Sequence, residues 1–198
     1  MITIYDLKPK FQAMLRPIVH FLFDRGITPN QVTVTALLLS ILTGLLIAFS
    51  HGAIWTLLLV PIIMFVRMAM NAIDGILARE HDMKTKLGAL LNELSDVVSD
   101  AALYLPLAYI NGVSPVLTVL FVLFAILTEM TGVLSVVMGN ERAYDGPMGK
   151  SDRAFLVGFI CLILGIGVSA SWWVNVLLIV AIVLETVTVI NRAKKALL

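Results

Sequence analysis

Six long apolar segments run through this chain of 198 residues and leave it few ways to fold. Each is close to the ~20 residues that an α-helix needs to cross the hydrocarbon core of a bilayer. Backbone groups find no hydrogen-bonding partners in lipid, so a helix must satisfy them internally. We therefore predict an all-α integral membrane protein with spans at 33–50, 53–75, 87–110, 114–138, 154–170 and 173–191.

Composition supports a membrane protein and excludes other classes. Sixty per cent of the residues are apolar and 14% are charged, whereas a soluble domain is about half apolar and a quarter charged. The net charge is +1 and no cluster of Lys and Arg resembles a nucleic-acid footprint, so we expect no nucleic-acid partner. Short loops and the absence of repeats predict one domain over residues 1–198.

The segment before the first span has a different pattern. Between residues 4 and 25, apolar side chains recur every three or four positions and are accompanied by Lys8, Lys10 and Arg16. This pattern is typical of an amphipathic helix lying in the membrane interface.

The basic residues predict the orientation of the spans. Thirteen of the 14 Lys and Arg residues fall on the side of the bundle that carries both termini, and the loops on the other side contain none. By the positive-inside rule, both termini are expected in the cytoplasm, in a bacterial inner membrane. All three tryptophans lie at the opposite boundary, as an interfacial aromatic belt would.

Three carboxylates interrupt the apolar segments. Asp74, Asp96 and Asp100 would each cost roughly 2.5–3.5 kcal/mol near the bilayer centre, so a functional role is expected. Positions 71, 74, 75 and 78 share one helical face, and 88, 92, 96 and 100 occupy successive turns of the next helix. Antiparallel packing would bring these faces to one cavity, where carboxylate and amide oxygens suit Mg²⁺, Mn²⁺ or Ca²⁺.

The same stretch resembles a known family. It reads Asn71-x2-Asp74-Gly75-x2-Ala78-Arg79-x8-Gly88-x3-Asn92-x3-Asp96. This is similar to the pattern of the CDP-alcohol phosphatidyltransferases, which have aspartate at the two positions held here by Asn71 and Asn92. The segment I-T-P-N-Q-V-T at 27–33 also looks like the one that precedes the first span in these enzymes.

The resemblance implies phospholipid synthesis by phosphotransfer. An alcohol would attack the β-phosphorus of a CDP-linked lipid such as CDP-diacylglycerol and release CMP. Asp96 would be the general base, with Asp100 as an alternative catalytic residue, and a homodimer is implied. The implied metal ligands are Asn71, Asp74, Asn92 and Asp96. The implied contacts with the nucleotide and phosphate are Pro29, Thr33, Gly75, Ala78, Arg79 and Gly88.

The two asparagines change the expected metal content. An amide still offers a carbonyl oxygen but brings no charge, and the carboxylates of Asp74 and Asp96 together balance only one divalent ion. We expect either one tightly bound Mg²⁺ or Mn²⁺, or two ions that are held only in the presence of substrate.

A second group of residues is a candidate acceptor site. Lys150, Ser151 and Arg153 cluster before span five, where members that make phosphatidylinositol phosphate look similar. They would hold a phosphorylated acceptor, or they are ordinary cytoplasmic basic residues. Arg67, inside span two, either lines the same polar cavity or forms a structural ion pair with Glu129 or Asp74.

Two other functions fit parts of the pattern. One is a catalytically impaired homologue that binds CDP-lipids, since two family ligands are replaced. The other is a small transporter in which Asp74, Asp96 and Asp100 relay a cation. The chain has no internal repeat, which argues against a transporter. The identity of the acceptor alcohol does not follow from the sequence.

Overall fold

The computed structural model describes residues 4–198, with side chains from residue 11 onward. It contains seven α-helices and, over the described range, no strand. The helices are α1 (Ile4–Asp24), α2 (Pro29–Phe49), α3 (Ile54–Glu80), α4 (Lys86–Tyr104), α5 (Pro115–Val137), α6 (Lys150–Gly165) and α7 (Trp172–Ala196). A short 3-10 helix (Leu105–Tyr109) continues α4.

Polar residues at the start of the apolar segments set where three of these helices begin. Thr28 and Gln31 form a capping box before α2, in which each side chain accepts a hydrogen bond from the other residue's backbone N–H. Thr85 caps α4 and Ser114 caps α5 in the same N-terminal manner. The starts are therefore local properties of the sequence.

Each predicted span corresponds to a helix, and the all-α prediction is confirmed. Four helices, α2, α3, α5 and α7, are long and apolar enough to cross a membrane. The other two predicted spans differ for physical reasons. Lys86, Glu93, Asp96 and Asp100 make α4 too polar, and α6 has only 16 residues. Six crossings therefore stay a prediction.

The packing of the helices brings one end of each to a common face. Helix α2 packs against both α3 and α4, α6 packs on α3, and α7 packs on α5. Helix α1 lies against the last turns of α3, where Leu15 and Val19 are buried with Ile73 and Leu77. Its outward positions include the exposed Met14 and Ile18. The common face, which we call the basic end, carries the N-termini of α2, α4 and α6 and the C-termini of α3, α5 and α7.

One glycine allows the close approach of α2 and α4. A Cβ atom at Gly44 would collide with the backbone carbonyl of Ala102, which no rotamer change could relieve. Small residues at helix contacts are how membrane helices come into close van der Waals contact.

We predict that Gly44→Ala separates α2 from α4 and destabilises the protein by about 1–3 kcal/mol, the usual effect of overpacking. Thermal unfolding in detergent measures it. Gly158→Ala is the matched control, because a Cβ there would make ordinary contacts, the nearest being Met64 Sδ at 3.5 Å. Equal unfolding midpoints for the two variants would contradict the role given to Gly44.

Candidate active site

Side chains of α3 and α4 meet in pairs at the basic end. The Asn71 amide donates a hydrogen bond to Asp96 Oδ1 at 3.0 Å, and the Arg67 guanidinium donates to Asp100 Oδ1 at 2.7 Å. The pairing follows from antiparallel direction, since one turn deeper in α3 matches one turn deeper in α4. The predicted convergence of these two faces is therefore confirmed.

Thr33 of α2 contacts the third carboxylate, Asp74 of α3. Asp74 is buried, and its Oδ2 accepts a hydrogen bond from Thr33 Oγ1 at 2.7 Å. The same hydroxyl lies 3.0 Å from the Pro29 carbonyl, one turn earlier. The predicted nucleotide-side residues Pro29 and Thr33 thus lie directly beside the predicted metal ligand Asp74.

Helix α6 places a positive charge beside Asp96. The Lys150 ammonium forms an ion pair with Asp96 Oδ1, and Arg67 lies 3.9 Å from that oxygen. Asp96 keeps 16% of its side-chain surface exposed, whereas Asp100 is buried. Asp96 is therefore the more accessible of the two candidate bases.

The predicted partners of Arg67 were wrong. Arg67 pairs with Asp100 rather than with Glu129 or Asp74. It lies two turns deeper in α3 than Asp74 and faces α4, while Glu129 is occupied by arginines from α6 and the loop before it. Both Arg67 and Asp100 are buried, so the pair is desolvated.

Arg153 is buried more deeply in the protein than the predicted acceptor site at the start of α6 would require. Its guanidinium is fully buried and donates to Glu129 Oε1 at 2.7 Å and to the Thr128 hydroxyl at 2.8 Å. Asp100 and Glu185 lie 3.8 and 3.9 Å away. With these contacts Arg153 links α6 to α4, α5 and α7, and we call the set Arg153, Glu129, Asp100 and Glu185 the buried charge cluster.

A loop between α5 and α6 closes this cluster. Arg142 pairs with both Glu93 and Glu129, and Arg192 donates to the Thr128 carbonyl at 2.6 Å. At the surface, a hydrogen bond from Lys195 lowers the pKa of Asp145. The two ion pairs of Arg142 tie the loop that leads into Lys150 to α4 and α5.

An apolar groove of about 590 Å³ opens beside the carboxylates, between α3 and α6. Its polar end is formed by Arg67, Asn71, Asp100, Lys150 and Ser151. The apolar walls are Pro61, Met64, Phe65, Met68, Ala154, Phe155, Gly158, Phe159 and Leu162. The arrangement suits a ligand with an apolar chain and a charged head.

Glycines shape the opposite side of the site. A Cβ at Gly75 would lie 3.0 Å from the guanidinium of Arg79, so Arg79 folds back over its own helix there. A Cβ at Gly88 would lie 2.8 Å from Asn30 Oδ1. Of the predicted positions Gly75, Ala78, Arg79 and Gly88, Gly88 therefore borders α2 at Asn30, a residue that the sequence analysis did not single out.

The oxygens present fit one divalent ion. Among the described residues, no three Asp, Glu, His or Cys side chains converge as a metal site. Two carboxylates, Asp74 and Asp96, and two amide carbonyls, Asn71 and Asn92, remain as hard oxygen donors. Mg²⁺ is often bound in this way, by one or two carboxylates and substrate phosphates.

Sequence reasoning missed several site residues. Glu185 and Tyr104 are fully buried beside Arg153, and their side-chain oxygens have no hydrogen-bond partner among the described residues. The groove wall on α6 could have been predicted, since Phe155 and Phe159 are four residues apart, with the small Gly158 on the same helical face. The Arg153–Glu129 pair could not have been predicted from the sequence, because it depends on how the helices pack around Arg153.

We predict that Arg153→Met destabilises the protein by about 3–5 kcal/mol, because it removes the positive charge shared by Glu129, Asp100 and Glu185 and leaves the buried Glu185 with no other ion-pair partner among the described residues. Adding Glu185→Gln should recover part of the loss. Unfolding in mixed detergent–SDS micelles measures both. Lys195→Met breaks an exposed pair and is the control, with little expected change. Equal effects of Arg153→Met and Lys195→Met would contradict the importance of the buried charge cluster.

Comparison with known proteins agrees with this geometry. The chain is 45% identical to the inner membrane protein YnbA of Escherichia coli, over 99% of this chain and 97% of that protein. It is 30% identical to a phosphatidylinositol phosphate synthase of Corynebacterium glutamicum, over 52% of this chain and 45% of that one. An archaetidylinositol phosphate synthase of Pyrococcus horikoshii is 31% identical, over 52% of each chain. These two matches therefore span about half of each relative.

Solved structures share the fold. The phosphatidylinositol phosphate synthase of Mycobacterium tuberculosis with CDP-DAG bound has a TM-score of 0.76 at 18% identity, over 91% of this chain and 92% of that one. The same enzyme in complex with manganese and citrate has a TM-score of 0.77 at 20% identity, covering 91% and 88%. The family model of the CDP-alcohol phosphatidyltransferases matches residues 26–187. The chain belongs to the CDP-alcohol phosphatidyltransferase family.

Proposed function

We propose that this protein transfers a phosphatidyl group from a CDP-linked lipid, such as CDP-diacylglycerol, to an alcohol and releases CMP. One observation carries the proposal: Asn71 and Lys150, which form part of the polar end of an apolar groove, both contact the carboxylate of Asp96 in a member of this family. A membrane lipid with a nucleotide head matches both parts of that site.

The donor would lie across α2, α3 and α4. Its nucleotide and phosphates would contact Pro29, Thr33, Gly75, Ala78, Arg79 and Gly88. Arg79 presents a planar fork suited to phosphate oxygens, and its guanidinium lies against Gly75. The groove between α3 and α6 would take an acyl chain.

One Mg²⁺ or Mn²⁺ ion would be held by Asp74 and Asp96, with Asn71 and Asn92 contributing carbonyl oxygens. When bound, the ion neutralises charge on the phosphoryl oxygens. Thr33 orients Asp74 and Asn71 orients Asp96 through their hydrogen bonds. The manganese complex of the Mycobacterium tuberculosis enzyme supports a divalent ion in this fold.

Asp96 would be the general base. It would take the proton from the acceptor hydroxyl as the oxygen forms a bond to the β-phosphorus and the bond from phosphorus to the CMP oxygen breaks. Asp100 is the weaker candidate because Arg67 binds it and protein surrounds it. Positioning and charge neutralisation supply most of the catalysis of such transfers.

The acceptor would bind at the polar end of the groove, near Lys150, Ser151 and Arg67. Arg153 would act indirectly, since it is buried behind them. Positive charge there supports an acceptor that carries a phosphate, as do the relatives named for the synthesis of inositol phosphate lipids.

In the membrane, the chain would be a single domain with six spans, both termini in the cytoplasm and α1 in the interface. The relative named as an inner membrane protein supports a bacterial inner membrane. A homodimer is part of this proposal. The basic end would face the cytoplasm, where CMP can leave.

Reconstituted protein provides the main test. Liposomes containing the protein, Mn²⁺ or Mg²⁺ and CDP-diacylglycerol are screened with glycerol phosphate, inositol phosphate, inositol, serine and glycerol. We expect metal-dependent release of CMP together with one new lipid. CDP-lipid binding without turnover would identify an impaired homologue, and cation flux without CMP release would identify a transporter.

We predict that Asp96→Asn lowers kcat by about 10²–10⁴-fold, the range of a general base. Asp145→Asn, on the surface loop, is the control and should leave kcat unchanged. Retained turnover in Asp96→Asn with loss in Asp100→Asn would assign the base to Asp100 instead.

We further predict that Thr33→Val lowers turnover and Mn²⁺ affinity by about 10–100-fold, as loss of a residue that orients a metal ligand does. Thr35→Val is matched to it, because the Thr35 hydroxyl bonds only its own helix, at the Gln31 carbonyl. Similar Mn²⁺ affinities in the two variants would show that Thr33 does not orient Asp74 for the ion.

A further inference from the structure

One oxygen of Asp96 collects three positive or donor groups. Lys150 forms an ion pair with Oδ1, Asn71 donates to it at 3.0 Å, and Arg67 lies 3.9 Å away. All three contacts involve Oδ1, so Oδ2 is the oxygen available to a divalent ion or an acceptor hydroxyl. A carboxylate surrounded in this way is shared between the protein's own cations and any metal.

The local charges leave no room for two divalent ions. Asp74 and Asp96 supply two negative charges, and Asn71 and Asn92 supply none. The Lys150 ammonium adds a positive charge in direct contact with Asp96. A second dication at Asp96 would be repelled by Lys150 at short range, and the next carboxylate, Asp100, is already paired with Arg67.

The position of Lys150 is fixed by the fold. It is the first residue of α6, whose start is held by a hydrogen bond from the Gly149 N–H to Asp152 Oδ2 at 2.9 Å. One turn later, Arg153 anchors the helix to Glu129 in the interior. Lys150 is therefore held against Asp96 by buried contacts, although 30% of its side-chain surface is exposed.

We propose that the Lys150 ammonium takes the place of a second divalent ion at Asp96, so that the site uses one metal ion and one lysine. The inference rests on the proposed phosphatidyl transfer. An ammonium has three N–H donors, and one contact with Asp96 leaves two for phosphoryl oxygens of the substrate. Lys150 acts through its positive charge, which balances the phosphates as the P–O bonds exchange.

Binding of Mn²⁺, measured by electron paramagnetic resonance on purified protein without substrate, tests this role independently of turnover. We expect one Mn²⁺ per chain. Lys150→Met removes a like charge next to the ion and should tighten Mn²⁺ binding by about tenfold. Lys150→Arg keeps the charge and should stay within twofold. Lys194→Met removes an exposed lysine of α7 and serves as the control.

The number of bound ions gives the second readout. Asn71→Asp with Asn92→Asp and Lys150→Met restores two carboxylates and removes the lysine, so this triple variant should bind two Mn²⁺ ions. Lys150→Gln replaces Lys150→Met if the latter is unstable. Two fully bound ions in the unmodified protein, or unchanged Mn²⁺ affinity in both Lys150→Met and Lys150→Gln, would overturn the proposal.

The two proposals fail separately. If the unmodified protein releases CMP but binds two ions, the lysine proposal is wrong and phosphatidyl transfer stands. If Lys150→Met tightens Mn²⁺ binding but no acceptor yields CMP, the proposal that the Lys150 ammonium takes the place of a second divalent ion at Asp96 stands. A catalytic role for Lys150 is then wrong together with the proposed transfer.

Discussion

The fully buried guanidinium of Arg153 is the interaction on which the rest of the site depends. It belongs to α6 and contacts carboxylates of α4, α5 and α7, as well as the Thr128 hydroxyl. Removing one partner of such a group leaves an uncompensated charge, so the helices are tied in one arrangement. Because Lys150 lies one turn before Arg153, this arrangement also sets where a positive charge meets Asp96.

The site itself is assembled from two sides. Helices α2, α3 and α4 supply the oxygens, through Thr33 on Asp74 and Asn71 on Asp96. Helix α6 supplies Lys150 and one wall of the groove. A lipid donor could then keep its chain among apolar side chains while its phosphates meet the charged groups. The site has these two sides because the N-termini of α2, α4 and α6 and the C-terminus of α3 all lie at the basic end.

Much of this was readable from the sequence, and for identifiable reasons. The helices follow from long apolar segments, and the meeting of Asn71 with Asp96 follows from helical periodicity and antiparallel direction. The partner of Arg67 was not readable, because only the packing of α3 against its neighbours selects Asp100 over Glu129. The burial of Arg153 was missed for the same reason, since a GKSDR segment looks like an exposed helix start.

The metal content of the site is the central claim, because it separates this chain from a pattern with four aspartates. Anomalous diffraction from crystals grown with Mn²⁺ and CDP-diacylglycerol measures it most directly. We predict a single manganese peak beside Asp74 and Asp96, with the Lys150 ammonium in contact with Asp96 Oδ1. Two fully occupied manganese peaks, with Lys150 turned away from Asp96, would contradict it.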